Sequence, residues 1–219
     1  MKKRFILVTL ALAGAIALSG CGGGSKSAKK VSGKILTIEL GPEVETIDPA
    51  LNTTNDGANY LTYLFDNLLR TDKDGKVVPS LAQKYEVSDD GLTWTFHLRD
   101  GLKWSDGSDF TANDFVYSWQ RMVDPEVAAP YAETVLGMVE GYDEAIGKPD
   151  EKGNQTTTPD ITKLRVEAPD DKTFVVHMSH PAPYFDRLAA FAALSPVKKD
   201  VVEANPDGWS LDPKTYIST

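Results

Sequence analysis

Cysteine is nearly missing from this sequence: Cys21 is the only one in 219 residues. A single thiol forms no intrachain disulfide and no all-cysteine zinc site. Histidine is almost as scarce, with only His97, His177 and His180. His177 and His180 lie three apart on a stretch that reads as a strand entering a loop. That spacing sends them to opposite faces without a carboxylate partner, so no metal site is expected. Positive charge is also short: 23 Lys and Arg against 32 Asp and Glu leave a net −9, which excludes the electrostatic footprint of a nucleic-acid binder. No Gly-x-Ser-x-Gly elbow, His-Glu-x-x-His pair, phosphate loop or dinucleotide fingerprint occurs. A hydrolase would need a nucleophile–base pair that the sequence does not display. Neither catalysis nor a cofactor is expected.

The chain has one long apolar run, and it is at the start. Lys2, Lys3 and Arg4 precede Phe5 to Leu18, which are apolar or small apart from Thr9. As a helix that run reaches about 21 Å, short of the ~30 Å of a bilayer core, so residues 1–20 read as a signal peptide. Leu18-Ser19-Gly20-Cys21 follows at once and resembles a bacterial lipobox. The resemblance implies that the Cys21 thiol receives a diacylglycerol and that the bond before it is cut. Removing residues 1–20 leaves 20 basic and 32 acidic groups, a net −12, so surface charge would not hold the mature chain at an anionic membrane. Two or more acyl chains would, each buried methylene contributing about 0.8 kcal/mol. Residues 21–33 continue as glycine, serine and lysine with Val31 the lone large apolar residue, a flexible tether.

Beyond the tether, Lys34 to Leu40 has the content of a buried strand, and the polar stretch Gly41 to Asn59 reads as loop. Helical spacing returns over Tyr60 to Leu69. Asp74-Gly75, Asp90-Gly91, Asp100-Gly101 and Asp106-Gly107 signal tight turns. Asp72-x-Asp74-Gly75 is one of these turns rather than a calcium loop, since no register supplies the closing glutamate. Thr93 to Leu98 alternates as a half-buried strand, with Trp94, Phe96 and Leu98 inward. Thr111 and Asp114 form a capping box opening a helix whose buried face carries Phe115, Val116, Trp119, Met122 and Val123. Leu164 to Ala168 and Thr173 to Met178 read as a hairpin, Tyr184 to Leu194 and Val197 to Ala204 as helices, and Gly147 to Asp160 as an exposed excursion. The mixture is α/β or α+β. For binding, the loop residues Asn52, Thr53, Thr54, Asn55 and Asp56 stand beyond the end of the first strand, where open α/β sheets place ligands, though position alone is equally well explained by a solvated surface loop. Tyr131, taken alone, is better explained as a packed aromatic.

Three stretches together carry a family resemblance: TIDPALNTTN at 46–55, the long run from Asn67 to Pro125 that contains YSWQR, and HPAPYF at 180–185. They resemble the family 5 extracellular solute-binding proteins, in their oligopeptide-binding branch. The resemblance implies an α/β, periplasmic-binding-protein-like type II fold of two lobes that close on ligand. Residues 34–65 and 190–219 would belong to the first lobe, with 66–189 an inserted α+β subdomain. A peptide would be held extended, through its main chain. Thr53, Thr54 and Asn55 would line the cleft, and Tyr131 would reach into it. The implied partners are oligopeptides, the permease of an ABC importer and, through the lipid anchor, the membrane; the protein itself is expected to be a monomer. Family members run to more than twice this length, so the second lobe is expected to be missing here and the remaining half-cleft to bind poorly. A receptor for secreted signalling peptides and a surface adhesin or chaperone-like lipoprotein are the competing expectations.

Overall fold

A computed structural model of the protein describes residues 39, 41, 43–150, 152–154, 157–211 and 216–219. The leader, Cys21, the tether and all but Glu39 of the strand expected over Lys34–Leu40 lie outside these residues.

The first helix among the described residues, α1 (Asn55–Leu64), begins five residues earlier than its spacing predicts, because the Thr54 hydroxyl accepts from Gly57 N at 3.0 Å and caps it. It also ends five residues earlier. Phe65 is extended (φ −130°, ψ 140°), and the buried Leu68 and Leu69 lead instead into a short strand, β1 (Leu69–Thr71), paired antiparallel with β2 (Val77–Pro79).

Next come β3 (Ala82–Val87), β4 (Thr93–Leu98) and helix α2 (Ala112–Met122). Two one-turn helices, α3 (Ala132–Leu136) and α4 (Tyr142–Ile146), occupy a stretch the sequence pattern left unassigned. The hairpin β5 (Val166–Asp170) and β6 (Thr173–His177) then completes an antiparallel sheet of order β3-β4-β6-β5. Trp94, Phe96 and Leu98 are buried from β4, and Phe174 and Val176 from β6, as a period of two requires. The glycines of the four Asp-Gly turns all have positive φ, between 70° and 87°.

The stretch Tyr184–Leu194 is not one helix. It divides into α5 (Phe185–Leu188) and a 3-10 turn at Ala192–Leu194. Tertiary bonds take the backbone between them: Leu69 N donates to Ala189 O at 3.3 Å, and Asn67 Nδ2 to Phe191 O at 2.8 Å. The last helix, α6 (Lys199–Ala204), falls inside its expected span.

Helix α2 lies against the sheet through an aromatic cluster. Phe174 meets Phe115 at 5.4 Å and Trp119 at 4.9 Å between ring centroids, and Phe185 meets Trp94 at 5.3 Å. Such offset and edge-to-face pairs add about 0.5–1.5 kcal/mol each beyond the area they bury. A second, smaller core gathers Leu61, Phe65, Val197, Val202 and Trp209. Polar bonds pin residues 194–197 to α2 where the cores adjoin: within the larger core Trp119 Nε1 donates to Leu194 O at 3.2 Å, and Val197 N, from the smaller core, donates to Ser118 Oγ at 2.9 Å. This seam fixes where residues 189–197 run, and so where Phe191 stands.

Candidate functional site

The sequence singled out two places, and the structure builds each from a different part of the fold. Thr53, Thr54 and Asn55 are exposed at the entry to α1. Their loop is held from below by buried polar groups. Asn52 brackets Thr54: its Oδ1 accepts from the Thr54 hydroxyl at 3.2 Å, and its Nδ2 donates to Thr54 O at 3.0 Å. Asn55 and Asp56 open the helix, so their backbone N–H groups belong to the set that a helix leaves without intrahelical partners.

Tyr131 sits at the start of α3, half-buried. The turn before it carries Ala128 at φ 53°, the one non-glycine residue with positive φ among the described residues. Asp124 shapes that turn, accepting from Glu126 N on its side chain and from Val127 N on its carbonyl, at 2.9 and 3.0 Å. The Tyr131 ring meets Phe191 edge to face at 5.5 Å, 84° between planes. Phe191 was not singled out from the sequence, where it fell inside an expected helix. In the structure it is 39% exposed, although its backbone is anchored by Asn67.

Phe191 lines a groove of about 440 Å³, together with Ala58, Leu61, Thr62 and Phe65 from α1 and its end, and Asp66 and Arg70 beyond them. Tyr131 therefore reaches this groove through Phe191, and Thr54 through Ala58, whose N donates to Thr54 O at 3.0 Å. Neither Tyr131 nor residues 53–55 line the groove themselves. The surroundings offer aromatic faces, apolar walls and a few polar groups, a set suited to holding a ligand. Among the described residues no group of three or more His, Cys, Asp or Glu is placed to hold a metal ion.

One expectation about histidine needs correcting. His177 does have a carboxylate partner, since its Nε2 lies 2.7 Å from Glu167 Oε1. The partner comes from the neighbouring strand of the β5–β6 hairpin, a cross-strand diagonal that spacing along one strand does not reveal.

The fold is a mixed α and β scaffold with an open groove, and comparison with known proteins specifies its class. The model of the bacterial extracellular solute-binding proteins, family 5, matches residues 76–219. The chain belongs to that family. Its members bind solutes rather than transform them. The periplasmic oligopeptide-binding protein OppA of Salmonella typhimurium is 39% identical, over 94% of this chain and 36% of its own length. The oligopeptide-binding protein OppA of Bacillus subtilis is 35% identical, over 100% of this chain and 39% of its own. The crystal structure of Haemophilus influenzae OppA in complex with RPPGFSPFR superposes with a TM-score of 0.72 at 38% identity, covering 81% of this chain and 33% of that one. The chain thus spans little more than a third of the length of these relatives, whose type II binding-protein fold it shares in part.

Proposed function

We propose that this chain contributes one wall of a peptide-binding cleft in an extracytoplasmic protein that captures oligopeptides and delivers them to an ABC importer. One observation carries the reading: the described fold matches, over most of its length, a relative solved with a bound nonapeptide. The arrangement around Phe191 supports it. The exposed Phe191 ring, backed edge to face by the half-buried Tyr131, gives apolar side chains a surface to lie on beside the groove, whatever their sequence. The exposed backbone at Thr53–Asn55 offers N–H and C=O groups to an extended main chain. Side chains then add contact area while the main chain supplies the common recognition. These 219 residues correspond to about a third of the relatives' length, so alone they should hold peptide more weakly than a chain of that full length.

The test is a titration of the chain with tetra-alanine at millimolar concentration, followed by NMR. The shifts should cluster at Thr53–Asn55, Tyr131 and Phe191, and Tyr131→Ala should weaken binding several-fold. Shifts scattered over the surface, or none at all, would sink the reading.

The same proposal includes the anchor. Cys21, with its small residues before it, is the lipidation site, and the tether lets the folded part stand off the membrane. Expressed in bacteria, the parent chain should fractionate with membranes and incorporate labelled fatty acid. Cys21→Ser should do neither; continued labelling of that variant would refute the assignment.

A further inference from the structure

Asp48 is 1% exposed, and the Arg121 side chain that meets it is 10% exposed. The pair is bidentate: Arg121 Nη2 donates to Asp48 Oδ2 at 2.6 Å and Nη1 to Oδ1 at 3.2 Å. Asp48 spends its remaining capacity on its own loop. Its Oδ1 also accepts from Ala50 N at 3.0 Å, and its carbonyl accepts from Leu51 N and Asn52 N, both at 3.1 Å. Asn52 passes the constraint to Thr54 at 3.0 and 3.2 Å, and the Thr54 hydroxyl accepts from Gly57 N at 3.0 Å. Even Gly57 is fixed by this geometry, since a Cβ there would stand 1.8 Å from Asn52 Oδ1. A continuous hydrogen-bonded path therefore runs from a guanidinium on α2 to the first turn of α1. Thr53, Thr54 and Asn55 are the exposed residues at its end.

A buried ion pair is a poor investment in stability, because desolvation offsets most of the attraction. What a planar, two-pronged contact supplies well is geometry. We infer that Asp48 and Arg121 are positioning residues. Without touching the ligand, they set the backbone of Thr53–Asn55 in the orientation that an extended peptide's main chain requires. This rests on the peptide-binding reading above. Main-chain recognition makes such a device useful, because binding groups must be held to within about 0.5 Å of their productive places.

Asp48→Asn and Arg121→Lys in the 219-residue chain test this through amide hydrogen exchange and tetra-alanine titration. Asp48→Asn weakens the acceptor, and Arg121→Lys keeps the charge but loses the fork, so Arg121→Lys decides where Asp48→Asn does not fold. The amides of Thr54 and Gly57 should exchange at least tenfold faster. Those of Phe96 and Val176, in the sheet, should stay within twofold, and the tetra-alanine dissociation constant should rise about tenfold. Uniform acceleration of all amides would make the pair a general strut and overturn the inference. So would unchanged exchange at Gly57, or unchanged affinity despite faster exchange. If the parent chain binds no tetra-alanine, the peptide reading falls, while local acceleration would still establish that the pair sets the loop.

Discussion

Ala128 and the turn glycines solve the same backbone problem at different cost. Gly75, Gly91, Gly101 and Gly107 take positive φ where no Cβ opposes it, each preceded by an aspartate. Ala128 takes φ 53° with a Cβ, at a cost of about 1–2 kcal/mol. The strain falls three residues before Tyr131, in the loop that presents it. Left-handed residues persist only where their surroundings over-determine them, and they gather at binding sites. Ala128→Gly removes the clash but loosens the unfolded chain, so the net gain should be about 0.5–1 kcal/mol. Thermal unfolding should then rise by about 1–3 °C. A lower midpoint would show that the alanine methyl makes a contact outweighing its strain.

At the scale of elements, legibility followed how local the deciding interactions are. Strand β4 was readable because its two-residue alternation and both flanking Asp-Gly turns are encoded within a dozen positions. The start of α2 was readable for the same reason: the capping box is four residues long, and Thr111 N does donate to Asp114 Oδ2 at 2.7 Å. The C-terminal end of α1 and the division of Tyr184–Leu194 were not readable. Both turn on partners far away in sequence, Asn67 and Leu69 binding to Phe191 and Ala189. Periodicity alone carries a helix past each of these points, and tertiary bonds override it. The candidate site divides in the same way. Thr53, Thr54 and Asn55 stand out as a short polar run in a loop, although the capping role of Thr54 does not, whereas Phe191 looks like any core residue until β1 and α3 are placed beside it. Asp48 and Arg121 are 73 positions apart, and nothing near either one marks them as a pair. The acidic excess is local again. Asp72, Asp90, Asp106, Asp150, Asp160 and Asp170 each accept the backbone N–H two residues on, so turns absorb much of the negative charge.

Across the whole molecule, the two hydrophobic cores meet along a seam that includes one ion pair sensitive to acid. Asp106 follows Trp104 and Ser105 in the turn beside the larger core, and Lys198 precedes α6 of the smaller one. Lys198 and the Ser108 hydroxyl and N–H hold the Asp106 carboxyl well below its ordinary value of 3.8. Asp106 in turn raises Lys198 above its ordinary 10.5. For Asp106 the folded value lies below the unfolded one. The stabilisation is therefore present above about pH 4 and drains away as pH falls toward the folded value. For Lys198 the sign reverses: stabilisation is present at and below the ordinary lysine range and lost only above it. Neutral conditions thus keep both contributions. Asp114 works against the acid trend, because its burial raises its carboxyl and protonation there favours the folded state. The fold as a whole should weaken on acidification even though Asp114 is relieved, since Asp106 at the seam is joined by other lowered carboxylates elsewhere, including Asp100 and Asp170 at the sheet turns. Asp106→Asn should lower the melting temperature slightly at pH 7 and flatten its decline below pH 4. The melting temperatures of parent and variant should draw steadily closer as pH falls below 4. Curves that stay parallel throughout would mean that the Lys198 contact carries no linkage.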